Sequence, residues 1–276
     1  MKRAPAAGNA PSVAPRVRRG YFESRYGQLH VHIAMPPGGG FDEATALLCV
    51  HSATGSARTF RRFLEIMARD RSGYAPDVPG FGESDAPHER ATVADFAAGI
   101  GDFLDSMRFR HIDLLGYELG AAIVAELAAA RSQQVRRVVL AGVPLFVERE
   151  AAQRSLPQST EDGSHLLLDW RRVLESAGRG ATLEIVAERF ADRLQNGASA
   201  ARACAALSQY AMREKLAAVT QPVLVLRPSD ELREGTLRAR EVLPRARLVE
   251  LPDYGSAVFE VAPQVVAEVV REFLKG

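Results

Sequence analysis

The residues best suited to chemistry lie in a short segment, GYELG at positions 116–120, that follows an apolar run. Glycines flank Glu118 closely, which suits a sharp turn from a strand into a helix, because neighbouring backbone approaches closely there. The Glu118 side chain would project from the N-terminus of that helix, where the helix dipole favours an anion. A carboxylate in this position can serve as a general acid or base, or as a covalent nucleophile.

The elements around this segment alternate between strands and helices. Short apolar runs, typical of strands buried on both faces, occupy 46–50, 112–115, 135–143 and 222–226. Helical spacing of apolar residues separates them, for example over 57–69 and 119–130. This rhythm predicts right-handed crossovers and an α/β fold with a mostly parallel, doubly wound sheet covered by helices on both faces.

The alternation breaks between 147 and 216, where no stretch reads as a strand and three helical patterns follow one another. An all-helical insertion in a parallel sheet predicts a cap over the strand ends, where ligands bind in open α/β sheets. We therefore expect a core domain formed by 20–146 and 217–276, with a helical cap at 147–216. Residues 1–19, which are basic and rich in Ala and Pro, are predicted as a disordered tail.

Composition and charge narrow the classes of function. The formal net charge of +1 gives no support for a nucleic-acid or membrane partner. Cys49 and Cys204 predict neither a disulfide framework nor a metal cluster, which favours a reducing, cytoplasmic setting. His30 and His32 alternate on one strand, but no third ligand has suitable spacing, so we predict no metal site. We expect no cofactor and a small-molecule ligand, and the oligomeric state stays open.

Four segments in order resemble motifs of the α/β-hydrolase-fold superfamily, in its esterase, epoxide-hydrolase and dehalogenase branches. They are 48–55 (LCVHSATG), 75–85 (APDVPGFGESD), 116–120, and 253–259 (DYGSAVF). The resemblance covers roughly residues 20–275 and implies the α/β-hydrolase fold with a helical cap. In that fold the segment 116–120 is the nucleophile elbow, so Glu118 stands at the nucleophile position. Ser256 stands where the family has its histidine base.

The resemblance also implies the other site residues. Asp230 follows the last long apolar run, where the family places the acid of its catalytic triad. The backbone amides of Ala53 and Leu119 would form the oxyanion hole. Ser52 and Tyr117 belong to the same two motifs and are expected beside them, against the substrate.

None of the six histidines lies beyond His165, so no histidine near Ser256 could replace the missing base. This altered triad leaves three hypotheses open. The favoured one is an enzyme acting on a small, partly apolar molecule, with Glu118 as acid, base or carboxylate nucleophile. Its reaction is hydrolase-like, or that of a lyase, isomerase or cyclase, and the carboxylate could instead fold back into the oxyanion hole. The second is a non-catalytic descendant that binds a small ligand or a protein partner. The third is a residual hydrolase that uses His51 or His165 as its base.

Overall fold

A central sheet of eight strands organises the molecule, whose computed structural model describes residues 15–37, 45–147 and 160–276. The strands are β1 (Arg18–Ser24), β2 (Gly27–Ala34), β3 (Leu47–Val50), β4 (Gly73–Pro76), β5 (Ile112–Tyr117), β6 (Val135–Ala141), β7 (Val223–Pro228) and β8 (Arg247–Leu251). They lie in the order β1-β2-β4-β3-β5-β6-β7-β8. β2 pairs antiparallel with β1 and β4, and all other neighbours are parallel.

Helices cover both faces of this sheet. Those of the core are α1 (Arg61–Met67), α2 (Val93–Ser106), α3 (Leu119–Ala130), α8 (Arg233–Val242), α9 (Val258–Val261) and α10 (Pro263–Lys275). Those inserted between β6 and β7 are α4 (Ser164–Ala177), α5 (Leu183–Gln195), α6 (Gly197–Ser208) and α7 (Met212–Ala217). The predicted fold class, a mostly parallel sheet with helices on both sides, is confirmed.

The strands are apolar throughout because both of their faces are covered. In β3, Leu48 and Val50 pack in a cluster with α2 and α3. The alternating residues Leu47 and Cys49 pack on the opposite face with α1 and α10. Each fully buried Leu or Val side chain contributes about 1.5–3 kcal/mol relative to an exposed one. A strand of this kind therefore reads as a continuous apolar run rather than as an alternation.

The sheet changes its winding direction between β3 and β5. These strands are parallel neighbours, and the chain leaves β3 toward β4 on one side and leaves β5 through α3 toward β6 on the other. A crevice forms outside the carboxyl ends of the strands at such a point. The segment 51–55 follows β3 there, and Glu118 follows β5.

The insertion between β6 and β7 is joined to the core at this same edge. The side chain of Asn196 donates to the carbonyl of Gly55 (2.8 Å) and accepts from the backbone amide of Gly82 (2.9 Å). The hydroxyl of Ser56 lies 2.6 Å from a carboxylate oxygen of Asp192 on α5. The insertion therefore rests on the loops that follow β3 and β4.

Two predicted segments fall partly outside the described residues. Of the predicted tail at 1–19, residues 1–14 lie outside them, and Arg18 already begins β1. Of the predicted cap at 147–216, residues 148–159 lie outside them, and the described remainder contains helices and no strand. No described helix combines the length and the apolar character that crossing a membrane requires.

Candidate active site

Glu118 occupies a strained turn between β5 and α3. Its backbone angles are φ 52° and ψ −108°, and a positive φ in a residue other than glycine persists only where the surroundings fix it. Two backbone hydrogen bonds fix it. The amide of Glu118 donates to the carbonyl of Ala141 (3.1 Å), and the carbonyl of Glu118 accepts from the amide of Ala121 (2.9 Å). The fold thus holds the position of Glu118 through its backbone.

The two glycines of the elbow are required by close backbone approach. A Cβ atom at Gly120 would overlap the carbonyl oxygen of Val50 at the end of β3. A Cβ atom at Gly116 would overlap the carbonyl oxygen of Gly120. The GYELG segment therefore has the physical basis that its sequence suggested: small residues let the turn pack directly on the neighbouring strand.

The carboxylate of Glu118 points back to the loop after β3. Its Oε2 accepts a hydrogen bond from the backbone amide of Ala53 at 2.8 Å, and the residue is 6% exposed. One of the two amides expected in the oxyanion hole is therefore bound to the protein's own carboxylate. The other, on Leu119, belongs to the first residue of α3, whose side chain is fully buried.

Asp230 is partnered by Tyr117, the residue before Glu118. The Tyr117 hydroxyl donates to Oδ2 of Asp230 at 2.9 Å, and the amide of Leu232 donates to Oδ1 at 2.9 Å. Burial is the main cause that raises the pKa of Asp230 to about 6, and the negative charges of Glu231 and Glu118 add to it. The acid of the site therefore changes its charge close to neutral pH.

Ser256 does not contact Asp230 through any hydrogen bond that the described residues show. Its hydroxyl accepts from Nη2 of Arg189 on α5 (3.0 Å) and donates to the carbonyl of Ser176 on α4 (3.0 Å). Arg189 in turn forms an ion pair with Glu260, with 2.6 Å between Nη1 and Oε1. The position of the missing histidine is thus used to join the insertion to the core.

The ring of His51, one of the two candidate bases, is held by two backbone groups. It is fully buried, its Nδ1 lies 2.7 Å from the carbonyl oxygen of Ser52, and its Nε2 accepts from the amide of Val78 at 2.9 Å. Both ring nitrogens are therefore engaged, and burial lowers the pKa of the ring, which favours the neutral form. His165, the other candidate base, binds Thr160 at the start of the described insertion, with 3.0 Å between its Nδ1 and the Thr160 amide.

One cavity of about 570 Å³ brings most of the predicted site together. Five of the predicted residues line it: Ser52, Tyr117, Glu118, Asp230 and Ser256. The insertion closes the other side with apolar and charged residues: Arg172, Val173, Ile185, Glu188, Arg189 and Cys204. His51, Ala53 and Leu119 are not among the residues that line it, and Ala53 contacts Glu118 through its backbone amide.

Sequence reasoning missed Arg189, Glu260 and Asp192, which are charged residues of this cavity. A weak signal existed for two of them. Arg189 and Asp192 lie four and seven residues after the buried Ile185, so they share the inward face of α5. Charges on the buried face of an amphipathic helix indicate a polar cavity beneath it. Among the described residues, no group of three or more metal-ligating side chains is placed to hold a metal ion.

Comparison with known proteins agrees with the fold. Residues 47–269 match the model of the Alpha/beta hydrolase family. The enol-lactonase from Burkholderia xenovorans LB400 has a similar structure, with a TM-score of 0.77 over 93% of this chain and 100% of that one. Its sequence identity is 17%, so the likeness is one of fold.

Curated relatives match over shorter stretches. The 2-hydroxymuconate semialdehyde hydrolase of Pseudomonas sp. (strain CF600) is 30% identical over 141 residues, which is 49% of this chain and 46% of that protein. An uncharacterized protein of Mycobacterium tuberculosis (strain ATCC 25618 / H37Rv) is 29% identical over 119 residues, 42% of this chain and 35% of that one. The chain thus spans less than half the length of these two relatives. Because the family model matches most of the chain, this protein belongs to the Alpha/beta hydrolase family.

Proposed function

We propose that this protein is an enzyme that moves protons on a small, partly apolar carbonyl compound, with Glu118 as the general base. The observation that carries the proposal is the placement of the Glu118 carboxylate. It is buried, it lines the cavity, and it is held by the amide of Ala53 at 2.8 Å. The reaction class is that of an isomerase, a lyase or a cyclase rather than of an ester hydrolase.

Hydrolysis of the family's usual kind is disfavoured by the residues around Glu118. The elbow has no hydroxyl, and a glutamyl ester formed there would need a base to activate water. Ser256 supplies none, and the nitrogens of His51 are engaged by Ser52 and Val78. Removing the base of a triad costs several orders of magnitude in rate.

A carboxylate next to a backbone amide suits proton abstraction beside a carbonyl group. When Glu118 takes a proton from carbon, it loses the negative charge that binds it to Ala53. The amide of Ala53 is then able to donate to the substrate oxygen, on which negative charge develops as the C–H bond breaks. The same amide thereby stabilises the base before the transfer and the intermediate after it.

The shape of the site and the relatives support a class of substrate. The insertion acts as a cap that supplies apolar Val173 and Ile185 beside charged side chains, which suits a small molecule with both characters. The relative from Pseudomonas is named for 2-hydroxymuconate semialdehyde, and the neighbour from Burkholderia for an enol-lactone. Both proteins are named as hydrolases of a compound that carries an enol or an enol ester. From the enol group we propose an enolisable ketone or 2-oxo acid here. The free thiols of Cys49 and Cys204 favour a cytoplasmic setting.

The test is exchange of carbon-bound hydrogen. The protein is incubated in D2O with 2-oxobutanoate and, separately, with cyclohexanone, and loss of the α-proton signal is followed by NMR. We expect exchange at least about 100-fold faster than in buffer, the lower range of general acid–base catalysis. Glu118→Gln should return the rate to background. The surface variant Glu241→Gln, outside the cavity, should keep it.

Absence of accelerated exchange with both compounds overturns the proposal. Hydrolysis of p-nitrophenyl acetate that is lost in Glu118→Gln, with a covalent adduct by intact-mass spectrometry, overturns the assignment of Glu118 as a base and makes it a nucleophile.

A second candidate, a ligand-binding protein without catalysis, is favoured by one observation. The carboxylate of Glu118 already occupies the Ala53 amide that would hold a substrate oxygen. This candidate predicts thermal stabilisation by 2-oxobutanoate that survives Glu118→Gln, without any exchange. Differential scanning fluorimetry on both proteins separates the two.

A further inference from the structure

Tyr117 and Asp230 meet at the carboxyl ends of two different strands. Tyr117 is the last residue of β5, and Asp230 lies two residues after β7. The hydroxyl of Tyr117 donates to Oδ2 of Asp230 at 2.9 Å, and both residues line the cavity beside Glu118. In this chain, a phenol therefore binds the acid that other members of the fold pair with a histidine.

The ring of Tyr117 is held in place by packing. It is 4% exposed and lies edge-on to Phe259, with 5.9 Å between the ring centroids and 62° between the ring planes. A Cβ atom at position 142 would overlap the ring, so Gly142 leaves it room. The amide of Leu232 fixes the second oxygen of Asp230 at 2.9 Å. These contacts hold the two groups at hydrogen-bonding distance. When Asp230 is protonated, its own O–H donates to the Tyr117 oxygen, and the Tyr117 O–H is able to turn to the substrate.

We propose that Tyr117 and Asp230 form the proton-donating pair of this site, with Tyr117 as the group that touches the substrate oxygen. The inference rests on the proposed function, because it supplies the acid for the reaction in which Glu118 is the base.

The proton transfer balances without any further reactant. Glu118 takes a proton from the carbon next to the carbonyl, and the electron pair of that C–H bond forms the enol double bond. The carbonyl oxygen takes the proton of the Tyr117 hydroxyl, while Asp230 passes its own proton to the Tyr117 oxygen. The pair ends as a neutral phenol and a carboxylate, and solvent returns the proton from Glu118 to Asp230.

The charges around the pair agree with these roles. Burial raises the pKa of Tyr117 well above its usual value, and Asp230 adds to this. The phenol is therefore a donor and not a base. Burial likewise raises the pKa of Asp230 to about 6, and the negative charges of Glu231 and Glu118 act in the same direction. Arg189 faces Tyr117 from α5 and partly opposes the rise in the pKa of the phenol.

The experiment measures deuterium exchange of 2-oxobutanoate against pH for the wild type, Tyr117→Phe and Asp230→Asn. The wild-type rate should fall above about pH 6, because the reacting form of Asp230 is protonated. Tyr117→Phe should lower kcat roughly 100-fold with little change in KM, since a positioned acid contributes a factor of that order. Asp230→Asn should remove the fall above pH 6. Tyr21→Phe, on an exposed tyrosine, is the matched control.

The outcomes separate this inference from the proposed function. If Glu118→Gln abolishes exchange while Tyr117→Phe keeps both the wild-type rate and its pH profile, the inference is overturned and the base stands. If the wild type itself shows no exchange, the proposed function fails, and the inference with it. Circular dichroism checks that the variants fold, and Asp230→Asn gives an independent reading should Tyr117→Phe be unstable.

Discussion

Arg189 donates a hydrogen bond to the hydroxyl of Ser256, with 3.0 Å between Nη2 and Oγ. Arg189 belongs to the helical insertion, and Ser256 belongs to the loop after β8, so the bond spans the cavity wall. The same guanidinium is paired with Glu260, and the two side chains are 19% and 11% exposed. The loop after β8 carries the histidine base in other members of the fold. In this protein it binds the helical insertion to the core.

The ion pair predicts a large effect of Arg189→Met on stability. The variant leaves Glu260 buried without its cation, and breaking a buried pair in this way costs about 3–5 kcal/mol. Urea unfolding should show this loss, and adding Glu260→Gln should recover part of it. Arg179→Met is the control, because Arg179 is 82% exposed and its pair with Asp253 is long, at 3.8 Å. Equal losses in both variants would contradict the role of the buried pair.

Replacing Glu118 by serine should not create an esterase. Glu118→Ser restores the hydroxyl of the elbow, but Ser256 cannot take its proton, and Asp230 is bound to Tyr117. Without a base, substrate binding and the amides of the oxyanion hole give only small rate gains compared with a full triad. We expect hydrolysis of p-nitrophenyl acetate to stay near the rate with Glu118→Ala. Strong turnover by the serine variant alone would show that another group acts as base.

The lowered pKa of His32 predicts that the folded protein loses stability in mild acid. Burial lowers its pKa to about 4 in the folded protein, whereas in the unfolded chain it keeps the ordinary value near 6.5. Between these pH values the unfolded state binds the proton more readily, so stability falls as the pH is lowered from about 6.5 to about 4. The contribution is up to about 3 kcal/mol.

Urea unfolding at pH 7 and pH 4.5 tests this for wild type and His32→Leu. The difference between the two pH values should be smaller in the variant. The same substitution at His88, whose side chain is 57% exposed, should leave the difference unchanged. Parallel pH profiles for wild type and His32→Leu would contradict the prediction.

Asp230→Asn should stabilise the folded protein at alkaline pH. The carboxyl has its pKa raised to about 6 by burial, so folding disfavours its ionised form above that pH. Asn mimics the protonated form, and we expect a gain of about 1–2 kcal/mol at pH 8 that shrinks as the pH falls below about 6 and disappears only below about 3.8, the ordinary pKa of Asp. Thermal unfolding of both proteins measures it, with Asp253→Asn as an exposed control. A loss of stability at pH 8 would contradict the assignment.

The fold could be predicted because its signals are local. The apolar run at 112–115 lies within β5, and α3 has the predicted limits, Leu119–Ala130. Full burial on both faces leaves a continuous apolar run that periodicity detects directly. The helical character of the insertion follows from an equally local pattern.

The side-chain partners of the site could not be predicted in the same way. The hydroxyl of Tyr117 and the carboxylate of Asp230 lie 113 residues apart in the chain, and Arg189 and Ser256 lie 67 apart. Such pairs depend on which loops the sheet brings together, and no local pattern encodes them. The motif resemblance located Glu118 and Asp230, but it could not show that the Glu118 carboxylate turns to the amide of Ala53.

The glycines of the elbow are required for folding, whereas the residue between them determines the chemistry. Gly116 and Gly120 are required by backbone approach to one another and to Val50, whatever side chain stands between them. Position 118 is held by its backbone bonds to Ala141 and Ala121, which every residue except proline is able to make. A library of residues that are not branched at Cβ, which a positive φ disfavours, should therefore yield mostly folded proteins at 118. A nucleophile, a base or an inert side chain would then stand at the same turn.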